Sequence, residues 1–294
     1  MAFAKRFINL KFQLGEGGFG GGADTVELKG YRCSLDISRA GGIQLAEANI
    51  RIFGLPLETM NKLTVLQVYA YAQTRKNTVT VSASDELNGE GVCFEGTIRE
   101  AWADASSPPD VVFAITAFAN LHDAGKTPSP TSYSGSVDVA TVISGLANQM
   151  GYGFENSGVS AKIDSPYLPG TFKEQLRRVA QAADINLYVD DVQRSVAIWP
   201  RGQARDGQMI KISRDTGMVS YPSFTQYGLQ VTTLYNPSLN FGRKVQIESD
   251  LTAATGTWVI ASVAHNLEAD VPGGVWFTTV DCTLDGHILP KLGR

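Results

Sequence analysis

For about the first 120 residues, apolar and polar positions alternate or run apolar in short segments, the period expected of β-strands rather than helices. The segments are YRCSLDISR (Tyr31 to Arg39), LTVLQVYAYA (Leu63 to Ala72), NTVTVSAS (Asn77 to Ser84), VCFEGTIREAWAD (Val92 to Asp104) and VVFAITAFA (Val111 to Ala119). They are rich in β-branched and aromatic residues and are separated by turn formers, so they predict a β-barrel or sandwich. PLETMNKL (Pro56 to Leu63) interrupts them as a short helix, with Pro56 in its first turn and Glu58 suited to the positive helix start. Such a helix could plug one barrel end.

The period changes after the Pro/Ser-rich stretch GKTPSPTSYSGS (Gly125 to Ser136). Val139, Val142, Ile143, Leu146 and Met150 share one helical face, with Ser136 available as N-cap and Gly151 as a left-handed stop. A second helix is announced by the capping-box spacing of Thr171 and Glu174, and Phe172, Leu176, Val179 and Ala183 form its apolar face. INLYVD (Ile185 to Asp190) and SVAIWP (Ser195 to Pro200) then form a hairpin across Asp191 to Arg194. Strand patterns return in MIKIS (Met209 to Ser213), LQVTTLY (Leu229 to Tyr235), RKVQIES (Arg243 to Ser249), TWVIASVAHNLEA (Thr257 to Ala269) and VWFTTVDCTL (Val275 to Leu284).

The expected fold is mainly β with an α+β insert: two tube-like β-barrel domains flanking a small two-helix and hairpin domain. The boundaries fall at residues 1–125 for the first β-domain, 126–136 for a linker, 137–200 for the small domain and 201–294 for the second β-domain. No short period repeats along the chain, which argues against solenoids and propellers.

Composition narrows the function. The 25 basic and 29 acidic residues give a formal net charge of −4, so no global charge recruits nucleic acid or an anionic membrane. The three cysteines, Cys33, Cys93 and Cys282, are odd in number and far apart, which fits small buried hydrophobes in a reducing cytoplasm. No run approaches the roughly 18 apolar residues of a membrane span, and the N-terminal FINLKFQL is too short and polar for a signal peptide, so a soluble, unexported protein is expected.

Local motifs fail on their surroundings. LGEGGFG (Leu14 to Gly20) satisfies G-x-G-x-x-G, but no helix opens after it and no kinase lysine strand, catalytic loop or magnesium motif follows. HDAGKT (His122 to Thr127) suggests a phosphate loop, yet Asn120 stands where glycine is needed, and Pro128 and Pro130 forbid the helix. His122, His265 and His287 are isolated and have no zinc-site spacing. His265, on a long strand, reads as a polar tip at an interface or with a satisfied partner. Glu95, Glu100, Asp190, Asp191 and Asp281 are the acids from which a glycosidase pair would have to come, but sequence supplies no separation between them. Arg177 and Arg178 occupy the solvent face of the second helix. No catalytic, cofactor-binding or metal residue is assigned, and no cofactor is called for.

Three stretches carry a resemblance. ANIRIFGLPLETMNKLTVLQ (Ala48 to Gln67) resembles the first β-domain of phage tail hub proteins, where a strand ending in an aromatic-glycine pair leads into a short helix. GMVSYPSFTQYGLQVTTLYNPSLNFGRKVQIES (Gly217 to Ser249) resembles their second β-domain, with a turn at Asn236 and Pro237, and WVIASVAHNLEADVPGGVWFTTVDC (Trp258 to Cys282) resembles its closing hairpin. The family is that of baseplate central hubs of contractile-tailed bacteriophages, the late control D-like family. The resemblance implies a structural protein, not an enzyme: a homotrimer forming a pseudo-sixfold ring that adapts the hexameric tail tube to the trimeric central spike. The implied partners are further copies of itself, the central spike protein, a tail tube or tube-initiator protein, and the tape-measure and baseplate wedge proteins. The resemblance also implies that DNA passes through the lumen without specific binding and that no membrane is involved. The implied location is the virion tail baseplate, after assembly in the host cytoplasm. A cell-wall-degrading tail enzyme on a β scaffold and a tail-tube or tube-terminator protein are the alternative readings.

Overall fold

The computed structural model describes residues 5–15, 18–19, 23–42, 44–65, 77–85, 89–107, 110–119, 121, 126–190 and 192–286. The N-terminal strands are β1 (Phe7–Gln13), β2 (Thr25–Leu28), β3 (Cys33–Ala40), β4 (Glu47–Phe53), β5 (Thr78–Asp85), β6 (Gly89–Ser107) and β7 (Asp110–Phe118). Their alternation is the one expected. In β3, Cys33, Leu35 and Ile37 are buried while Asp36 and Ser38 face out, because successive side chains of a strand point to opposite faces. Helix α1 (Leu57–Leu63) follows Pro56, which caps it from one position before the first turn, and buries Met60 and Leu63. Of the LTVLQVYAYA segment, Leu63 ends this helix, Val65 bridges Ala101, and residues 66–72 lie outside the described residues.

The middle of the chain holds β8 (Thr131–Ser132), β9 (Ser136–Asp138), α2 (Val139–Met150), β10 (Gly153–Asn156), β11 (Lys162–Asp164), β12 (Tyr167–Leu168), α3 (Phe172–Ala182), β13 (Ile185–Asp190) and β14 (Ser195–Pro200). Both helices are where the apolar spacing placed them, and Gly151 ends α2 in the left-handed region at φ 75°. The N-cap of α2 is Asp138, because Ser136 is taken up by β9, which pairs with β11. The capping box of α3 forms as expected: Glu174 N donates to Thr171 Oγ1, and Thr171 N donates to Glu174 Oε2. The β13–β14 hairpin gains a third strand, since β10 adds parallel to β14. The stretch expected as a bare linker contains β8, paired with β12. The apolar faces of α2 and α3 meet Leu187, Val196 and Ile198 of the hairpin in one core.

The C-terminal strands are β15 (Ile210–Ile212), β16 (Ser223–Thr225), β17 (Gly228–Leu234), β18 (Lys244–Ile247), β19 (Gly256–Ala269) and β20 (Trp276–Leu284). They do not form a sheet of their own. Strands from both ends of the chain belong to one 13-stranded sheet with the path β16-β17-β20-β19-β3-β4-β7-β6-β5-β1-β2, and β15-β18 branch from β19. The pairing path among the described residues is open, with β16 and β2 at its ends, so it traces no closed barrel.

The join is made by β19. One of its edges pairs with β20 along most of its length. The other edge is divided: Gly256 to Val259 pair with β18, and Ser262 to Ala269 pair with Ala40 to Cys33 of β3. A register shift between Ile260 and Ser262 marks the division and bends the strand, as bulges do. The core follows the join, since Leu267 and Trp276 pack in the same cluster as Leu35, Ile50 and Phe113.

Phe241 fastens the insert to both β regions. Its ring lies 5.4 Å from that of Tyr188 and 5.6 Å from that of Trp199, and a Cβ on Gly41 would overlap it. Phe241→Ala is expected to lower stability by about 2 kcal/mol, below the fully buried aromatic range because the ring is only part-buried. Gly41→Ala should destabilise as well, by pushing the same ring out. Urea unfolding of the two variants and the parent checks both.

Candidate assembly surfaces and the buried junction

The three parts of the chain meet around a polar cavity of about 60 Å³ lined by Arg39 and Cys93 from the first, Asp190 and Gln193 from the insert, and Asn240 and His265 from the last. Arg39 reaches it because the alternation of β3 turns this residue to the core side, where Nη2 donates to the Cys93 carbonyl at 2.6 Å. His265 is 1% exposed; its Nδ1 is 2.9 Å from Thr278 Oγ1, and Tyr235 stands edge-on at 5.4 Å. Burial, helped by the charge of Arg39, pushes the imidazole pKa down to about 3, so it is neutral at ordinary pH. The expectation of a satisfied histidine fits this environment.

A second polar tie lies beside the first. Arg205 donates from Nε and Nη2 to the two carboxylate oxygens of Glu155 at 2.9 and 2.7 Å, with its side chain fully buried, and Arg243 Nη2 stands 3.5 Å from the same carboxylate. Burial works against the charged form of Glu155, but hydrogen bonds and charge from Arg205, aided by Arg243, outweigh it and hold the carboxyl below its usual range. Burial, reinforced by the charge of Arg205, pulls the Arg243 pKa down. No spacing rule could have found this pair, whose members are 50 residues apart.

The remaining sequence candidates have separate surroundings. Asp190 Oδ1 accepts from Val192 N and Gln193 N and so shapes the β13–β14 turn. Asp281 accepts from Ser262 and Gln230 on the outward side of the sheet, and Glu95 stands 3.8 Å from Arg194. His122, Asp191 and His287 lie outside the described residues, as do residues 16, 17 and 20–22 of the glycine-rich segment. After that segment the chain enters strand β2, and Gly15 N donates to Asn77 Oδ1. The three cysteines are buried and form no disulfide, and burial raises the Cys33 thiol to about 12. Among the described residues no group of His, Cys, Asp and Glu could hold a metal, and no helix is long and apolar enough to cross a membrane. The junction cavity is several-fold smaller than pockets that hold drug-sized ligands, about 300 Å³ and upward, and has room only for a few waters.

What the geometry offers instead is surface: a polar outward sheet face, and an exposed edge at β16 where Tyr221, Phe224 and Tyr227 are open to solvent. Fold alone does not assign a function to a two-part β chain with a joined sheet and a helical insert, and comparison with known proteins supplies the class. The family described as baseplate hub gp41 matches residues 21–279, and the chain belongs to that family. It is similar in fold to the 43 kDa tail protein of prophage MuSo2 from Shewanella oneidensis, with a TM-score of 0.63 at 10% identity over 96% of this chain and 97% of that one. A tail protein from Neisseria meningitidis MC58 gives a TM-score of 0.60 at 10% identity, covering 94% of this chain and 97% of the other. The E. coli c3393 protein, a component of the type VI secretion system similar to the T4 tail proteins gp27 and gp5, gives 0.55 at 9% identity over 90% and 77%. No curated protein sequence matches the chain.

Two acid sensitivities follow from the buried groups. The His265 imidazole has a depressed folded pKa, so its contribution is complete above about 6.5 and is lost as pH falls toward about 3. His265→Phe should flatten the stability-versus-pH curve in that window by up to about 1.4 kcal/mol per pH unit. Glu155 acts lower: its contribution is present above 4.5 and lost as pH falls through its lowered folded value. Glu155→Gln at neutral pH should cost about 3 kcal/mol, because it leaves the Arg205 guanidinium buried without its counter-charge. Chemical denaturation at a series of pH values measures both.

Proposed function

We propose that this phage-tail hub protein is a structural ring-former and not an enzyme: three copies close around a channel, joining a sixfold tail tube to a threefold spike while DNA passes through. The observation that carries the reading is the single sheet crossing from the C-terminal strands to the N-terminal ones through β19 and β3. Each copy thereby brings two consecutive wall segments of similar build, so three copies supply six. The residue ranges 1–125, 137–200 and 201–294 serve as first wall segment, outer insert and second wall segment, with 126–136 connecting them.

Arc length supports three copies. The path from β17 to β6 has seven strands. At a spacing of about 4.8 Å and a barrel tilt of about 40°, they span about 44 Å of circumference. Three copies make a circle of about 42 Å, or about 32 Å of clear width after a side-chain layer of about 5 Å on each side. Two copies leave about 18 Å, too tight for a hydrated duplex whose grooves are about 8.5 and 7.5 Å deep. The exposed edge beside β17, at β16, is where a neighbouring copy would meet the β6 end of this path, since pairing removes an exposed strand edge. Further partners of the ring are the spike, the tube or its initiator, the tape-measure protein and the wedge proteins of the baseplate.

Mass photometry of the purified chain with its spike partner should report trimers of the chain at about 95 kDa, three times 31.6 kDa, or that mass plus the spike. Monomers alone would contradict the proposal. Hexamers or polymers would favour a tube or terminator, and cell-wall release abolished by a single carboxylate substitution would favour the enzyme.

A further inference from the structure

We infer that a water molecule is built into the joint between the insert and the last third of the chain, bound by Arg205 Nη1, Ser195 Oγ and the Asp190 carboxylate. Through it one guanidinium ties together all three strands of the insert's sheet. The inference is independent of the ring reading, since it concerns how a single copy is held together.

The strand register lays out the place. Glu155, Ala197 and Tyr188 stand opposite one another on β10, β14 and β13, and the next row on the same face, two residues toward the β13–β14 turn, is Gly153, Ser195 and Asp190. Arg205 lies across the first row. Its Nε and Nη2 donate to Glu155 on β10, while its guanidinium carbon is 5.8 Å from the centre of the Tyr188 ring on β13. Ala197, between them, is small enough to let the guanidinium down onto the sheet. The second row is shallow as well: Gly153 has no side chain, and a Cβ built there would meet nothing beyond its chain neighbours nearer than Ser195 Cβ at 3.6 Å. Ser195 thus stands in a trough beside Asp190.

Two buried atoms here call for a partner. Arg205 is 2% exposed, and with Nε and Nη2 given to Glu155 its Nη1 has no acceptor among the described residues. Ser195 Oγ is buried and has neither donor nor acceptor among them. Buried polar groups are paired almost without exception, because leaving one unpaired forfeits its hydration and gains nothing in return. Water satisfies both atoms: it accepts from Nη1 and gives its two hydrogens to Ser195 Oγ and to Asp190, whose Oδ1 also takes the turn amides of Val192 and Gln193. That makes about three hydrogen bonds, the usual number for a buried water. Asp190 and Gln193 line the junction cavity too, which places the water at the margin of a polar space. Chloride suits the guanidinium alone. It has no hydrogen for Asp190 and would add to Glu155, Asp190 and Asp206, three carboxylates whose charges already reach Arg243. With water in the trough, Arg205 holds β10 directly through Glu155, and β14 and β13 through Ser195 and Asp190.

Two measurements on the full chain test this. A high-resolution crystal structure should show a solvent peak within about 3.2 Å of Arg205 Nη1, Ser195 Oγ and an Asp190 carboxylate oxygen, and crystals soaked in bromide should give no anomalous signal there. The second measurement is the urea midpoint of Ser195→Ala. A hydroxyl that holds water loses a hydrogen bond on substitution, so the midpoint falls; a dry hydroxyl is an unpaired buried group, and its removal leaves the midpoint unchanged or raises it. The expected result is the peak together with a lower midpoint. A trough without the peak, a bromide signal at it, or a midpoint that holds or rises overturns the proposal. If Ser195→Ala does not fold, the density and the bromide soak of the parent chain decide the matter by themselves.

Discussion

The structure depends on how β19 divides one of its edges between two partners. A strand has two hydrogen-bonding edges, and β19 spends one on β20 and splits the other between β18 and β3. Without the Ser262–Ala269 half of that pairing, β3 and the C-terminal region would each carry a raw edge of unpaired N–H and C=O groups, a template for aggregation. With it, the two β regions share one 13-stranded sheet. Leu267 and Trp276 then pack on the N-terminal core, and Trp276 Nε1 donates to Asp85 Oδ2 at 2.7 Å, so the ladder and the core support each other.

The insert is held to that sheet by a different kind of force. Phe241 supplies apolar contact between the insert's Tyr188 and Trp199 and the backbone at Gly41. The Arg205–Glu155 pair supplies direction, since a bidentate guanidinium and carboxylate meet well in only one orientation. Apolar contact alone would tolerate sliding, and the fork fixes the angle. In the ring proposed above, this rigidity would keep the insert in one place relative to the sheet.

Much of this could be read from the sequence because it is local. The alternation of β3, the apolar face of α2 through Val139, Val142, Ile143 and Leu146, and the Thr171–Glu174 capping box all depend on residues a few positions apart. What escaped the reading is long-range. The partner of Asn266 is Asp36, 230 residues away, and nothing in either segment's period specifies which strand its edge will find. The fold is mainly β with an α+β insert, as expected, but the two tube-like β-barrel domains of that expectation share one open pairing path that runs through both. Ser136 failed as a cap for a related reason, since pairing of its strand with β11 competed with capping and left Asp138 at the helix start. The site is legible only as an absence of chemistry along the sequence, because a face assembled from Gln230, Asp281, Asp36 and Asn49 has no motif until the register aligns it.

Electron cryomicroscopy of the assembled hub would test the central claim most directly. The account predicts three copies per ring, with β19 and β3 paired within each copy. A ring whose pore is lined by the insert, or in which β3 takes its neighbour from another copy in place of β19, would contradict it.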